Sequence, residues 1–189
     1  ESLKTLQGLE GITKIAGTLS ISDNPALTDL DGLSSVTVLA SADGRRDVAL
    51  SISSNNTLTN VDGLANITAI EGNLSIFENA GLTNIEGLGS IASVGGVLSI
   101  EANDTLVNCQ SIAALLGWPN GPPNDSVGDD IMVSSNATGC NSVAEVIASY
   151  TPPTASDRFN ALMQAVQATR GAGGSQQTQT TSESSAEGD

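Results

Sequence analysis

A mainly β, parallel β-solenoid of about five coils is the fold this sequence predicts, and three observations carry the prediction. Apolar residues recur at a fixed period: Leu74, Ile76, Asn79 and Leu82 return as Leu98, Ile100, Asn103 and Leu106, always twenty-four residues on. Leu-Ser-Ile triplets at Leu19 to Ile21, Leu50 to Ile52, Leu74 to Ile76 and Leu98 to Ile100 alternate apolar, polar, apolar, the period of a strand with one buried face. An Asn follows each triplet by three residues, at Asn24, Asn55, Asn79 and Asn103. Such a unit buries its apolar edge only against its neighbours, so the units stack.

The first coil carries Leu3, Leu6, Leu9, Ile12, Ile15, Leu19, Ile21 and Asn24. The second runs from Leu27 through Leu33, Val36, Leu39 and Ile52 to Asn55, the third from Leu58 to Asn79, and the fourth opens at Leu82. A fifth opens at Leu106 and closes irregularly. The triplets stacked coil on coil make a parallel sheet with Ser20, Ser51, Ser75 and Ser99 facing outward. The Ile-Thr-x-Ile segments, Ile12 to Ile15 and Ile67 to Ile70, give a second, shorter sheet. Gly17, Gly72 and Gly96 precede main strands, where a corner calls for a φ that side chains resist. The Asn column satisfies corner amides, and Asn tolerates left-handed backbone, so these residues read as a structural ladder joined at the last coil by Asn136.

The second coil is seven residues longer than the others. The extra residues lie between Leu39 and Leu50 and contain Asp43-Gly44, a hairpin turn signal, then Arg45, Arg46 and Asp47. Insertions in repeats map to loops that often bind, so Asp43, Arg45, Arg46 and Asp47 form a candidate ligand loop.

Beyond Leu106 the spacing of Ile112, Ala113, Leu115 and Leu116 predicts a helix with Asn108 near its start. Ile131-Met132-Val133 restores the strand, and Asn141-Ser142 opens a short helix with Val143, Val146 and Ile147 on one face. Cys109 and Cys140 are the only cysteines and bracket this terminal coil, so they read as a disulfide pinning the cap. Closing a loop of about thirty residues stabilises by roughly 3–4 kcal/mol in the chain-entropy account. A metal site would need more ligands, and the chain has no His.

Domain organisation follows: residues 1–150 form the solenoid with its cap, 151–171 a Pro linker and amphipathic helix, and 172–189 a disordered polar and acidic tail. In the helix Phe159, Leu162, Met163 and Val166 fall at helical spacing, a candidate assembly face. The absence of an initial Met and of a charged-then-apolar leader at Glu1 fits a processed product.

The pattern Leu-Thr-x-Leu-x-Gly-Leu-x-x-Ile-Thr-x-Ile-x-Gly-x-Leu-x-Ile-x-x-Asn resembles the receptor L domain family, in the leucine-rich-like form of secreted microbial surface proteins. Cys109 with its apolar segment, and Asn136-Ala-Thr-Gly-Cys140-Asn-Ser, are similar to the closing segment of those members. The resemblance covers about residues 2 to 150. It implies a right-handed solenoid and a protein that binds proteins, carbohydrates or cell walls.

Composition excludes several functions. The chain is 39 % hydrophobic but 2 % aromatic, which argues against deep pockets and sugar-stacking platforms. A formal charge of −15 repels phosphate backbones, so nucleic acid is not expected as a partner. No eighteen-residue apolar run crosses a membrane. Phosphate loops, nucleophile elbows and assembled acid–base groups are missing, and so are calcium repeats, so neither an enzyme nor a cofactor is expected.

Six glycosylation sequons occur. Asn55, Asn103 and Asn136 are expected to be buried in the ladder, leaving Asn66, Asn73 and Asn124 open to glycosylation. The leading expectation is a secreted or cell-surface, non-enzymatic recognition or adhesion module binding a protein or polysaccharide through its sheet face and the Arg45–Arg46 loop. The alternative is a self-assembling subunit of an extracellular filament, sheath or surface layer, joined through an uncapped amino-terminal coil with Leu6, Leu9 and Ile12 uncovered.

Overall fold

The computed structural model describes residues 3–40, 48–118 and 126–152, and beyond these residues 154, 156, 159 and 163. The chain separates into two compact units, Glu1–Tyr150 and Thr151–Asp189.

The first unit is mainly β. Its chain alternates between two parallel sheets, in which each short run pairs with its equivalents in the neighbouring repeats. The shorter sheet contains β1 (Lys14–Ala16), β3 (Val38–Ala40), β5 (Ala69–Ile70) and β7 (Ser93–Val94), in that order. The longer contains β2 (Leu19–Ser22), β4 (Val48–Ser53), β6 (Asn73–Phe77), β8 (Leu98–Glu101) and β9 (Ile131–Ser134). Register follows the repeat: Leu50 pairs with Leu74 and Ile52 with Ile76, then Leu74 with Leu98 and Ile76 with Ile100. The strand after the insertion re-enters with a register irregularity between Val48 and Leu50.

A third column is made of 3-10 turns at Asp31–Leu33, Asp62–Leu64, Glu86–Leu88 and Gln110–Ile112. Each sits two residues after a side-chain acceptor in the first three cases: Asp29, Asn60 and Asn84 take the N–H of Asp31, Asp62 and Glu86. The central glycines are there for lack of room. A Cβ on Gly63 would lie 1.9 Å from the Leu30 carbonyl oxygen, and one on Gly87 2.0 Å from that of Val61. At the fourth turn Ser111 occupies this place, and its hydroxyl donates to the Ile85 carbonyl at 2.8 Å.

Between the three columns lies a core of small aliphatic side chains. Leu50, Ile52, Leu58, Val61, Leu64 and Ile67 are fully buried. The first coil is less covered: Leu6 is buried, whereas Leu3, Leu9 and Ile12 are exposed.

Two expectations need correction. The stretch after Cys109 is a 3-10 turn, Gln110–Ile112, followed by further turns rather than an α-helix, and Cys109 rather than Asn108 holds the cap position. Asn108 instead donates to Glu86 across the stack. The left-handed corner residues are not the ladder asparagines but the residues just before them, Asp23, Ser54, Glu78, Ala102 and Ser135, with φ of 54 to 58°. Among the glycines before the strands, Gly17 has φ 109°, while Gly96 is required by space, since a Cβ would lie 2.0 Å from Asn73 Oδ1.

The closing end holds α1 (Val143–Ser149), capped by Ser142, whose hydroxyl accepts the Glu145 N–H at 3.1 Å. Cys109 and Cys140 are bonded, with Cα atoms 5.9 Å apart and both sulfurs' residues buried. Trp118 meets Tyr150 edge to face with centroids 4.7 Å apart.

In the second unit Ser156, Phe159 and Met163 are helical and exposed. Leu162 and Val166 of the candidate assembly face lie outside the described residues.

Candidate functional site

The outer face of the five-stranded sheet is a regular surface that the repeat builds. Because Leu and Ile of every triplet point into the core, the residues between and after them point out, in two columns set by the register. One column is Ser20, Ser51, Ser75, Ser99 and Met132; the other is Ser22, Ser53, Phe77, Glu101 and Ser134. The face therefore changes character along its length. Ser20 and Ser22 are small, exposed hydroxyls, whereas toward the capped end Phe77 and Met132 are 37 % and 42 % exposed.

Glu101 lies between these two apolar side chains. Its carboxylate accepts the Ser99 hydroxyl at 2.9 Å through Oε2 and the Ser134 hydroxyl at 2.8 Å through Oε1. Ser99 is nearly buried despite its outward position. Ser99 belongs to the outward Ser column read from the sequence, but neither Glu101 nor Ser134 stood out there. Glu101 and Ser134 are thirty-three residues apart, across the irregular closing coil, so the twenty-four-residue period does not bring them together on paper.

The ladder asparagines are structural. Asn55 is fully buried; its Nδ2 donates to the Ile21 and Ser53 carbonyls, both at 2.9 Å, and its Oδ1 accepts the Asn24 N–H at 3.1 Å. Asn79 and Asn103 repeat the arrangement. Asn136 accepts from Asn103, and its own N–H donates to Asn141 Oδ1, so Asn141 serves as a last rung. Among the described residues no buried side-chain nitrogen or oxygen lacks a partner. This column is occupied by the fold and has no free groups for a ligand. Asn136 is half-buried rather than buried, because a helix cap and not another coil follows it.

Of the residues open to glycosylation by sequence, Asn66 is exposed and donates to the Ser34 carbonyl. Asn73 is half-buried, with Oδ1 accepting the Val97 N–H at 2.8 Å, which makes it a corner group. Asn124, and the loop residues Asp43, Arg45, Arg46 and Asp47, lie outside the described residues.

An open, polar cleft of about 340 Å³ is lined by Thr5, Gln7, Glu10, Asp29, Asp31 and Gly32. The Gly8 N–H donates to the Glu10 carboxylate at 2.9 Å and lowers its pKa below the ordinary carboxylate range. No group of three acidic, His or Cys side chains among the described residues is arranged to hold a metal ion. No helix among them is long and apolar enough to cross a membrane.

Comparison with known proteins gives one family. Residues 1–87 match the receptor L domain, the family whose repeat pattern the sequence resembles. The match ends at the third 3-10 turn, yet the same strand register continues through β9. No curated protein and no solved structure matches the chain.

Proposed function

Because residues 1–87 carry a receptor L domain, we propose that this protein is a secreted or cell-surface recognition module, non-enzymatic, that binds a protein ligand on the outer face of its five-stranded sheet. The single observation supporting the choice of face is its composition by position. Phe77 and Met132 are exposed on a sheet whose other outward residues are Ser and Glu. Exposed apolar side chains rimmed by polar ones are what interfaces use, and a sheet face needs no pocket. Arg45 and Arg46 lie in sequence between β3 and β4 and are part of the same reading. Five coils wound right-handed complete the proposed architecture, the five-strand order of the longer sheet supporting the count. No cofactor is invoked.

The test is binding of the intact chain to arrays of extracellular protein domains and of cell-surface glycans. Ser75→Arg places bulk in the middle of the face, and Arg45→Ala with Arg46→Ala removes the loop charges. Loss of a protein ligand with the first variant is expected. Glycan binding indifferent to Ser75→Arg would overturn the choice of ligand and face.

Exposure of Leu3, Leu9 and Ile12 favours one second reading, self-assembly through the first coil. Sedimentation of the intact chain and of a chain truncated at Pro152 separates the two. Monomers in both samples dispose of self-assembly.

A further inference from the structure

Residues 48–150 contain ten acidic residues and not one Lys or Arg. The strands β4 to β9, the last three 3-10 turns and the helix α1 therefore contain no cation of their own. Other carboxylates of this span also accept hydrogen bonds, Glu86 from the Asn108 amide and Glu145 from the Gly139 and Asn141 N–H. Glu101 differs in three ways: it stands on a sheet face, two hydroxyls fix its orientation, and large apolar side chains flank it.

The register sets the geometry. Phe77 is the cross-strand neighbour of Glu101 on one side and Ser134 on the other, while Met132 is the neighbour of Ser99 one step along. Adjacent strands lie about 4.8 Å apart, so Phe77 and Glu101 leave the same face as cross-strand neighbours. Each carboxylate oxygen accepts one serine hydroxyl and has capacity for a further donor. A planar guanidinium would bond both oxygens and lie against the Phe77 ring at once, the combination that arginine favours. Divalent cations fit poorly, since they demand six or more oxygens and only one carboxylate is here.

We propose that Glu101, oriented by Ser99 and Ser134 and flanked by Phe77 and Met132, is the anchor subsite for an arginine side chain of a basic protein partner. The proposal rests on the sheet face being the recognition surface and specifies the chemistry that the face selects. The net negative charge of residues 48–150 steers such a partner toward it.

The test is an NMR titration of the full chain with the probe peptide acetyl-Gly-Leu-Arg-Leu-Gly-amide and its citrulline counterpart, at low salt. Shifts are expected at the Ser99 and Glu101 amides, the Phe77 ring and the Met132 methyl. Affinity should fall about tenfold for Glu101→Gln, the scale of a lost charge-assisted pair, with the melting temperature nearly unchanged. Phe77→Leu should weaken binding while leaving the charge in place, and citrulline should bind no better than to Glu101→Gln. Equal shifts at Asp62, Glu86 and Asp104 would mean diffuse attraction and would overturn the proposal, as would calcium ions alone reproducing the shifts at Glu101. An array ligand lost in Ser75→Arg but unaffected by Glu101→Gln overturns this subsite and leaves the recognition face standing. Ligands unaffected by either substitution overturn both.

Discussion

Replacing Asn79 with alanine removes the hydrogen bonds that satisfy a buried corner of this fold. The side chain is fully buried and makes three good bonds: Nδ2 to the Ile52 and Phe77 carbonyls, both at 3.0 Å, and Oδ1 from the Asn55 N–H at 3.0 Å. Alanine leaves two carbonyls and one amide without those partners in a place water does not reach. At about 1–2 kcal/mol for each buried group left unpaired, the loss is about 3–6 kcal/mol. That is a large part of the ~5–15 kcal/mol by which a domain is stable. Asn24, half-buried at the first coil, makes one strong side-chain bond, to the Ser22 carbonyl at 2.9 Å. Asn24→Ala should therefore cost only about 1 kcal/mol. Urea unfolding of both variants measures the difference. Equal losses, or a loss below about 1 kcal/mol at Asn79, would refute the account of the ladder as the element that satisfies the stacked corners.

Two further outcomes follow from the stacking. Gly63→Ala forces a Cβ to within 1.9 Å of the Leu30 oxygen, so neighbouring coils must part; the loss should exceed about 3 kcal/mol, whereas Gly89→Ala, with its nearest atom at 3.2 Å, should change stability by under about 1 kcal/mol, both read from thermal unfolding. Removing the Cys109–Cys140 bond by a double Cys→Ser substitution should cost about 3–4 kcal/mol in urea, and reductant should destabilise the wild-type chain but not the variant.

What was legible in the sequence was whatever the repeat writes in phase. The buried Leu and Ile positions, the Ser column and the ladder of Asn24, Asn55, Asn79 and Asn103 all recur at fixed offsets from the strand, and their roles follow from period and residue type. The 3-10 column was half legible. Gly32, Gly63 and Gly87 recur in phase too, but their cause is an approach between coils of under 2.1 Å for an added Cβ, which only stacking discloses. The left-handed residues were misplaced by one position, since Asp23, Ser54, Glu78, Ala102 and Ser135 share no residue type that signals φ above zero. The Asn instead straddles that bend, its Nδ2 donating to the carbonyl two residues back. The Glu101 group was illegible because it depends on pairing across the one coil whose length departs from the period. Asn141 as final rung escaped for the same reason: it lies five residues, not a repeat, beyond Asn136.

The central claim is that the outer sheet face recognises a protein. Its most direct measurement is binding of wild-type chain, Ser75→Arg and Ser90→Arg to the same array of extracellular protein domains. Ser75 lies in the middle of the face and Ser90 is an exposed residue between the third 3-10 turn and β7. The account predicts at least one ligand whose binding falls about tenfold or more in Ser75→Arg and is retained in Ser90→Arg, as expected when bulk is forced into an interface centre. Ligands that bind all three proteins equally would contradict it.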